Sequence, residues 1–125
     1  MSESDDVTDG QSGDDTGTPT ASEPVHVESE DQLDELVAEN PVVLIDFHAD
    51  WCGPCQMLEP VVAEVAAETD AVVAKIDIDE LQSLAQAYGV RSVPTLLCFA
   101  DGEPAERLVG VQEKSTLVEL VENVR

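Results

Sequence analysis

The chain has 125 residues, 42 % of them hydrophobic, enough for one domain with a core and too few for two comfortable ones. Its 28 acidic residues against 5 lysines and arginines give a formal net charge of −23, which repels phosphate backbones and anionic bilayers and argues against nucleic acid or membrane as a partner. No stretch approaches the roughly 20 apolar residues of a membrane span, and Met1-Ser2-Glu3-Ser4-Asp5-Asp6 lacks the basic and apolar regions of a secretory signal, so a cytoplasmic location is expected.

Residues 1–24 carry seven acidic groups, no basic one and hardly an apolar side chain, and are expected to form a disordered acidic tail. The folded domain is expected over residues 25–125. Val25-His26-Val27 reads as a first strand, and Ser29 with Gln32 signals a capped helix carrying Leu33, Leu36 and Val37, ended at Pro41. Val42 to Phe47 is apolar without alternation until Asp46, the pattern of a central strand covered on both faces. Pro54 opens a helix with Leu58, Val61, Val62 and Val65 on one side, and Pro60 inside it should kink it.

Ala71 to Asp77 is the next strand, Glu80 to Tyr88 a short helix ended by Gly89, and Thr95 to Phe99 another strand. Asp101-Gly102 is a hairpin signal leading to a final strand at Arg107-Leu108-Val109. Leu117, Val118, Leu120, Val121 and Val124 mark the stripe of a C-terminal helix. The order β-α-β-α-β-α-β-β-α makes an α/β fold, a central mixed sheet flanked by helices.

Cys52-Gly53-Pro54-Cys55 follows the central strand and enters a helix, which puts Cys52 at the helix N-terminus, where free N–H groups favour a thiolate. The spacing lets Cys55 attack a mixed disulfide on Cys52, releasing a reduced substrate and closing a Cys52–Cys55 disulfide. The same spacing suits half of a zinc site, but two more ligands are needed and Cys98, His26 and His48 are scattered. A redox dithiol is the preferred reading. With three cysteines in all, a secreted disulfide framework is not indicated.

Trp51-Cys52-Gly53-Pro54-Cys55, with Asp46-Phe47 before it and Val93-Pro94-Thr95 after it, resembles the thioredoxin family over roughly residues 25–125. The resemblance implies the thioredoxin fold and a protein-disulfide reductant that binds no cofactor and works through a reversible Cys52–Cys55 disulfide. Cys52 would be the attacking thiolate, Cys55 the buried resolving thiol, and Asp46 the buried acid that accepts the Cys55 proton, with Lys75 as its charge partner. Pro94 would be the family's cis-proline, Val93 would offer backbone hydrogen bonds to an extended substrate, and Trp51, Gly53, Pro54, Gly110 and Val111 would border the groove. The implied partners are disulfide-bearing proteins and a thioredoxin reductase, an NADPH-dependent flavoprotein; with no apolar stripe beyond the groove asking for a second subunit, a monomer is expected.

Read without the family, Asp46 is either a buried carboxyl with a raised pKa or a solvated strand-end aspartate, and Lys75, one of two lysines, is a strand residue that snorkels to solvent. His48 stands where the family usually has an aromatic; it either stabilises the thiolate, titrating near neutrality, or is a polar substitute without a role. Gln56 replaces a common lysine, and Cys98 is expected to pack as a small hydrophobe. Of the 28 acidic residues, seven lie in residues 1–24, so 21 remain in the domain, the composition expected of a protein adapted to a salt-rich cytoplasm and resembling thioredoxins of halophiles. The rival class is a redox-neutral binding or scaffold module that uses the same groove; retention of both cysteines with Asp46 and Pro94 argues against it.

Overall fold

The computed structural model describes residues 22–124. The acidic segment expected to be disordered, residues 1–24, lies outside the described residues except for its last three. Nine elements follow in the expected order: β1 (Val25–His26), α1 (Glu30–Glu39), β2 (Val42–His48), α2 (Gly53–Glu68), β3 (Val72–Asp77), α3 (Gln82–Ala87), β4 (Thr95–Ala100), β5 (Glu103–Val109) and α4 (Lys114–Asn123). They build a five-stranded mixed sheet of order β1-β3-β2-β4-β5. β1, β3 and β2 run parallel, while β4 and β5 are antiparallel additions.

Alternation along β2 sends its side chains to two separate cores. Val43, Ile45 and Phe47 join Val72, Ala74 and Ile76 of β3 under Leu33 and Leu36 of α1 and Leu84 of α3. Val42 and Leu44 face the other way, with Val73, Leu96 and Cys98, against Leu58, Val62 and Val65 of α2 and Leu117 and Val121 of α4. The unalternating run therefore signals two-sided burial, as expected of a central strand.

Local chemistry sets the boundaries. Ser29 caps α1 by accepting the Gln32 N–H at 3.1 Å, and Gln32 Oε1 accepts from the Glu28 N–H at 2.7 Å. Gly89 ends the α3 region at φ +68°, where an L side chain is strained. Two elements differ from expectation. β5 begins at Glu103, not Arg107, because the Asp101-Gly102 turn, at φ 52° and 85°, hands the chain straight into pairing with β4. Glu103-Pro104-Ala105-Glu106 has little strand propensity, yet at an edge β4 supplies the register, Pro104 needs no inward donor, and a bulge absorbs the irregularity between Cys98 and Phe99. α3 starts at Gln82, not Glu80, because Asp77 Oδ1 accepts the N–H groups of Asp79 (2.8 Å) and Glu80 (3.4 Å) and holds that stretch as a turn.

Candidate active site

β2 ends at His48, and four residues later the chain enters α2 with Cys52 as its N-cap. Cys52 Sγ accepts the Cys55 N–H at 3.1 Å, so a backbone donor at a helix N-terminus points at the sulfur expected to carry negative charge. Cys55 sits in the first turn, and the two are joined as a disulfide with Cα atoms 5.2 Å apart. Both cysteines are almost fully buried, so exposure does not separate their roles; position on the helix does. Among the described residues no group of three or more His, Cys, Asp or Glu side chains is placed to hold a metal ion.

Cys52 Sγ also lies 3.6 Å from the Val93 carbonyl oxygen. The Val93–Pro94 peptide is cis, and the Pro94 carbonyl accepts the Gly110 N–H at 2.8 Å, tying the loops before β4 and after β5 together. Trp51, 68 % exposed, donates from Nε1 to Asp79 Oδ2 at 2.9 Å, which fixes the indole at the rim. Met57, Val109 and Val111 are the other large exposed apolar side chains among the described residues. The expected rim residues Trp51, Gly53, Pro54 and Val111 are exposed, whereas Val93 and Gly110 are half-buried and Pro94 is buried.

Asp46 is 1 % exposed and lies inside β2, two residues short of its end, which rules out a solvated strand-end aspartate. Burial pushes its carboxyl up to about 6, against the lowering pull of the Lys75 ammonium and with a smaller upward push from the Glu59 carboxylate. Lys75 is the register neighbour of Asp46 across β2 and β3, but its Nζ donates to Glu59 Oε2 at 2.9 Å. Lys75 is thus a charge neighbour of Asp46 whose ammonium is bonded to Glu59, a turn after Cys55 on α2, and Asp46 Oδ1 has no protein hydrogen-bond partner.

His48 Nε2 is likewise buried and unpartnered, and burial, with the Lys75 charge, lowers the imidazole pKa. A neutral ring at neutral pH is the result, so His48 does not supply the positive charge that would stabilise a Cys52 thiolate. Cys98 is fully buried and its thiol pushed up to about 11 by burial, in keeping with a packing role. Glu59, Asp79 and Met57 were not foreseen from sequence. The Asp77-Ile78-Asp79 spacing was a usable turn signal, but nothing local marks Glu59.

A dithiol at the start of a helix, with the residue before a cis-proline against its first sulfur and a buried carboxyl in the preceding strand, is a specific arrangement, and the thioredoxin family model matches residues 24–123. The chain belongs to the thioredoxin family. It is 45 % identical over 98 residues to the thioredoxin of Chlamydia trachomatis, covering 78 % of this chain and 95 % of that one. Against the thioredoxin of Staphylococcus epidermidis it is 48 % identical over 86 residues, 67 % and 83 % of the two chains. The structure of a mutant thioredoxin from Halobacterium salinarum NRC-1 superposes with a TM-score of 0.82 at 57 % identity, covering 86 % of this chain and 96 % of that one. As a thioredoxin it is a thiol–disulfide oxidoreductase and protein-disulfide reductant, working through the Cys52–Cys55 pair without a bound cofactor. Thioredoxins exchange electrons with disulfide-bearing proteins and with a thioredoxin reductase. No described helix is long and apolar enough to cross a membrane.

Proposed function

We propose that Cys52 and Cys55 act in sequence with Asp46 as proton acceptor. The Cys52 thiolate attacks a substrate disulfide; one substrate sulfur bonds to Cys52 and the other leaves as a thiolate that takes a solvent proton. Cys55 then passes its proton towards Asp46 and attacks Cys52 Sγ, so that the Cys52–Cys55 bond forms, the mixed disulfide breaks, and the second substrate sulfur leaves as a thiolate. Two electrons have moved from the dithiol to the substrate. The observation carrying this reading is the Cys55 N–H aimed at Cys52 Sγ at the start of α2. A carboxylate with a pKa near 6 is ionised at neutral pH and a stronger base than an ordinary aspartate, which suits it to a thiol proton.

Lys75 tunes that carboxylate by its charge. Trp51, Gly53, Pro54, Val93, Pro94, Gly110 and Val111 form the surface on which an extended substrate segment lies, with the Val93 backbone as its hydrogen-bonding edge. An NADPH-dependent flavoprotein returns the electrons, and the chain works as a cytoplasmic monomer. The 21 acidic residues beyond residue 24 suit a salt-rich interior, where a Debye length of ~3 Å at about 1 M salt screens their repulsion.

The test is reduction of insulin with dithiothreitol as electron source, for wild type and Cys52→Ser, from about 0.1 to about 3 M KCl. Turnover by wild type that falls at least ~1,000-fold in Cys52→Ser is expected, with Cys55→Ser accumulating mixed disulfides on Cys52. Wild-type activity no greater than the mutant's would overturn the reading. Thermal stability should rise across the KCl series; a flat or falling curve would sink the salt adaptation alone.

A further inference from the structure

Lys75 faces Asp46 across the β2–β3 register, yet its ammonium is bonded to Glu59 at 2.9 Å while Asp46 Oδ1 is left without a protein partner. Glu59 follows Cys55 by four residues on α2, which places the two on one helix face a turn apart. The Glu59 side chain is 57 % exposed and that of Lys75 17 %, so the bond draws the cation towards the surface. The groups around Asp46 can be enumerated by element. β3 offers Lys75, α2 offers Glu59, β2 itself offers the neutral His48, and the register partner on β4 is the apolar Leu96. Lys75 is therefore the cation that decides the charge balance at Asp46, and Glu59 decides where it sits.

We infer that Glu59 is a positioning residue for disulfide exchange: it holds the Lys75 ammonium off Asp46 and so leaves the buried carboxylate free to take the Cys55 proton. The inference rests on the reading of Asp46 as that proton's acceptor. A direct Asp46–Lys75 bond would neutralise the carboxylate's basicity and occupy the oxygen it uses. The Glu59 carboxylate adds a second effect of the same sign, since its own negative charge disfavours a second one at Asp46. Neutralising Glu59 removes that repulsion and releases Lys75 to turn to its register neighbour. Both changes make Asp46 a weaker base.

The experiment follows the Asp46 carboxyl carbon by NMR titration in the full-length oxidised protein, with Asp46→Asn identifying the signal, at one fixed KCl concentration. The pH profile of dithiothreitol reduction of the Cys52–Cys55 disulfide is recorded beside it. In that reaction the dithiothreitol thiolate bonds to Cys52 Sγ and Cys55 leaves, taking the Asp46 proton. Glu59→Gln should move both midpoints down by about one pH unit, Glu59→Asp, which keeps the charge, should recover most of that shift, and Lys75→Met should move them up. An Asp46 midpoint unmoved by Glu59→Gln, with the kinetic inflection still abolished by Asp46→Asn, would overturn the role of Glu59 alone. A kinetic profile unchanged in Asp46→Asn would overturn the reading of Asp46 and the inference with it.

Discussion

The two faces of the sheet use the same strands differently. On the α1/α3 side β2 and β3 stay apolar to their ends, finishing in Phe47 and Ile76, both fully buried. On the α2/α4 side the same strands run Val42, Leu44, Asp46, His48 and Val73, Lys75, Asp77, turning polar where they approach the dithiol. Burial is equally deep at Asp46 and at Phe47, so depth does not make the difference. One face buries groups that gain by leaving water; the other buries a carboxyl oxygen and a ring nitrogen with no protein partner, which disfavours the folded state. Both faces carry an apolar core, and the second also bears the cost of these unpartnered polar atoms.

That division can be broken by substitution. Phe47→Ala should have the largest effect on stability, a loss of about 3–5 kcal/mol in denaturant unfolding, because it empties a fully buried site against Tyr88, whose ring centre is 6.0 Å away. Disulfide exchange by the fraction still folded should be close to normal. A large loss of exchange in that fraction would show that the faces are not separable.

Asp46→Asn should act in the opposite sense, with a dependence on pH. A carboxyl whose folded pKa is raised to about 6 binds its proton more tightly folded than unfolded. Its ionisation therefore costs nothing in stability below about pH 4, costs progressively more between there and about pH 6, and reaches its full cost of about 3 kcal/mol above that. The asparagine variant should be more stable than wild type by up to that amount at about pH 8 and should lose the advantage near pH 4. Equal stability at both pH values would mean that the carboxylate finds compensation in solution. Ser29→Ala, at the α1 cap on the other side of the sheet, should cost about 1 kcal/mol and leave exchange untouched.

Most of the architecture was legible because it rests on local signals. The Ser29 cap, the Asp101-Gly102 turn, Gly89 after α3 and the unbroken apolar run of β2 each carry their own physical cause. Glu103 to Glu106 was missed because an edge strand takes its register from a neighbour and not from its own composition. In the site, the cysteine pair could be placed from spacing, whereas strand position alone left Asp46 open between a buried carboxyl and a solvated strand end. The partner of Lys75 could not, since Glu59 and Lys75 are 16 residues apart and only the packing of α2 on β3 brings them within 2.9 Å.

The sequence by itself determined the order of elements, the dithiol at a helix start, the acidity of the surface and the family, because each is written in adjacent residues or in totals. Only the tertiary structure decided that Asp46 is sealed inside β2, that His48 is half-buried with its Nε2 unpartnered, and that Glu59 takes the cation. Those outcomes depend on which side chains the sheet and its covering helix bring together and on how much water they exclude, and neither quantity is a property of any short stretch of chain.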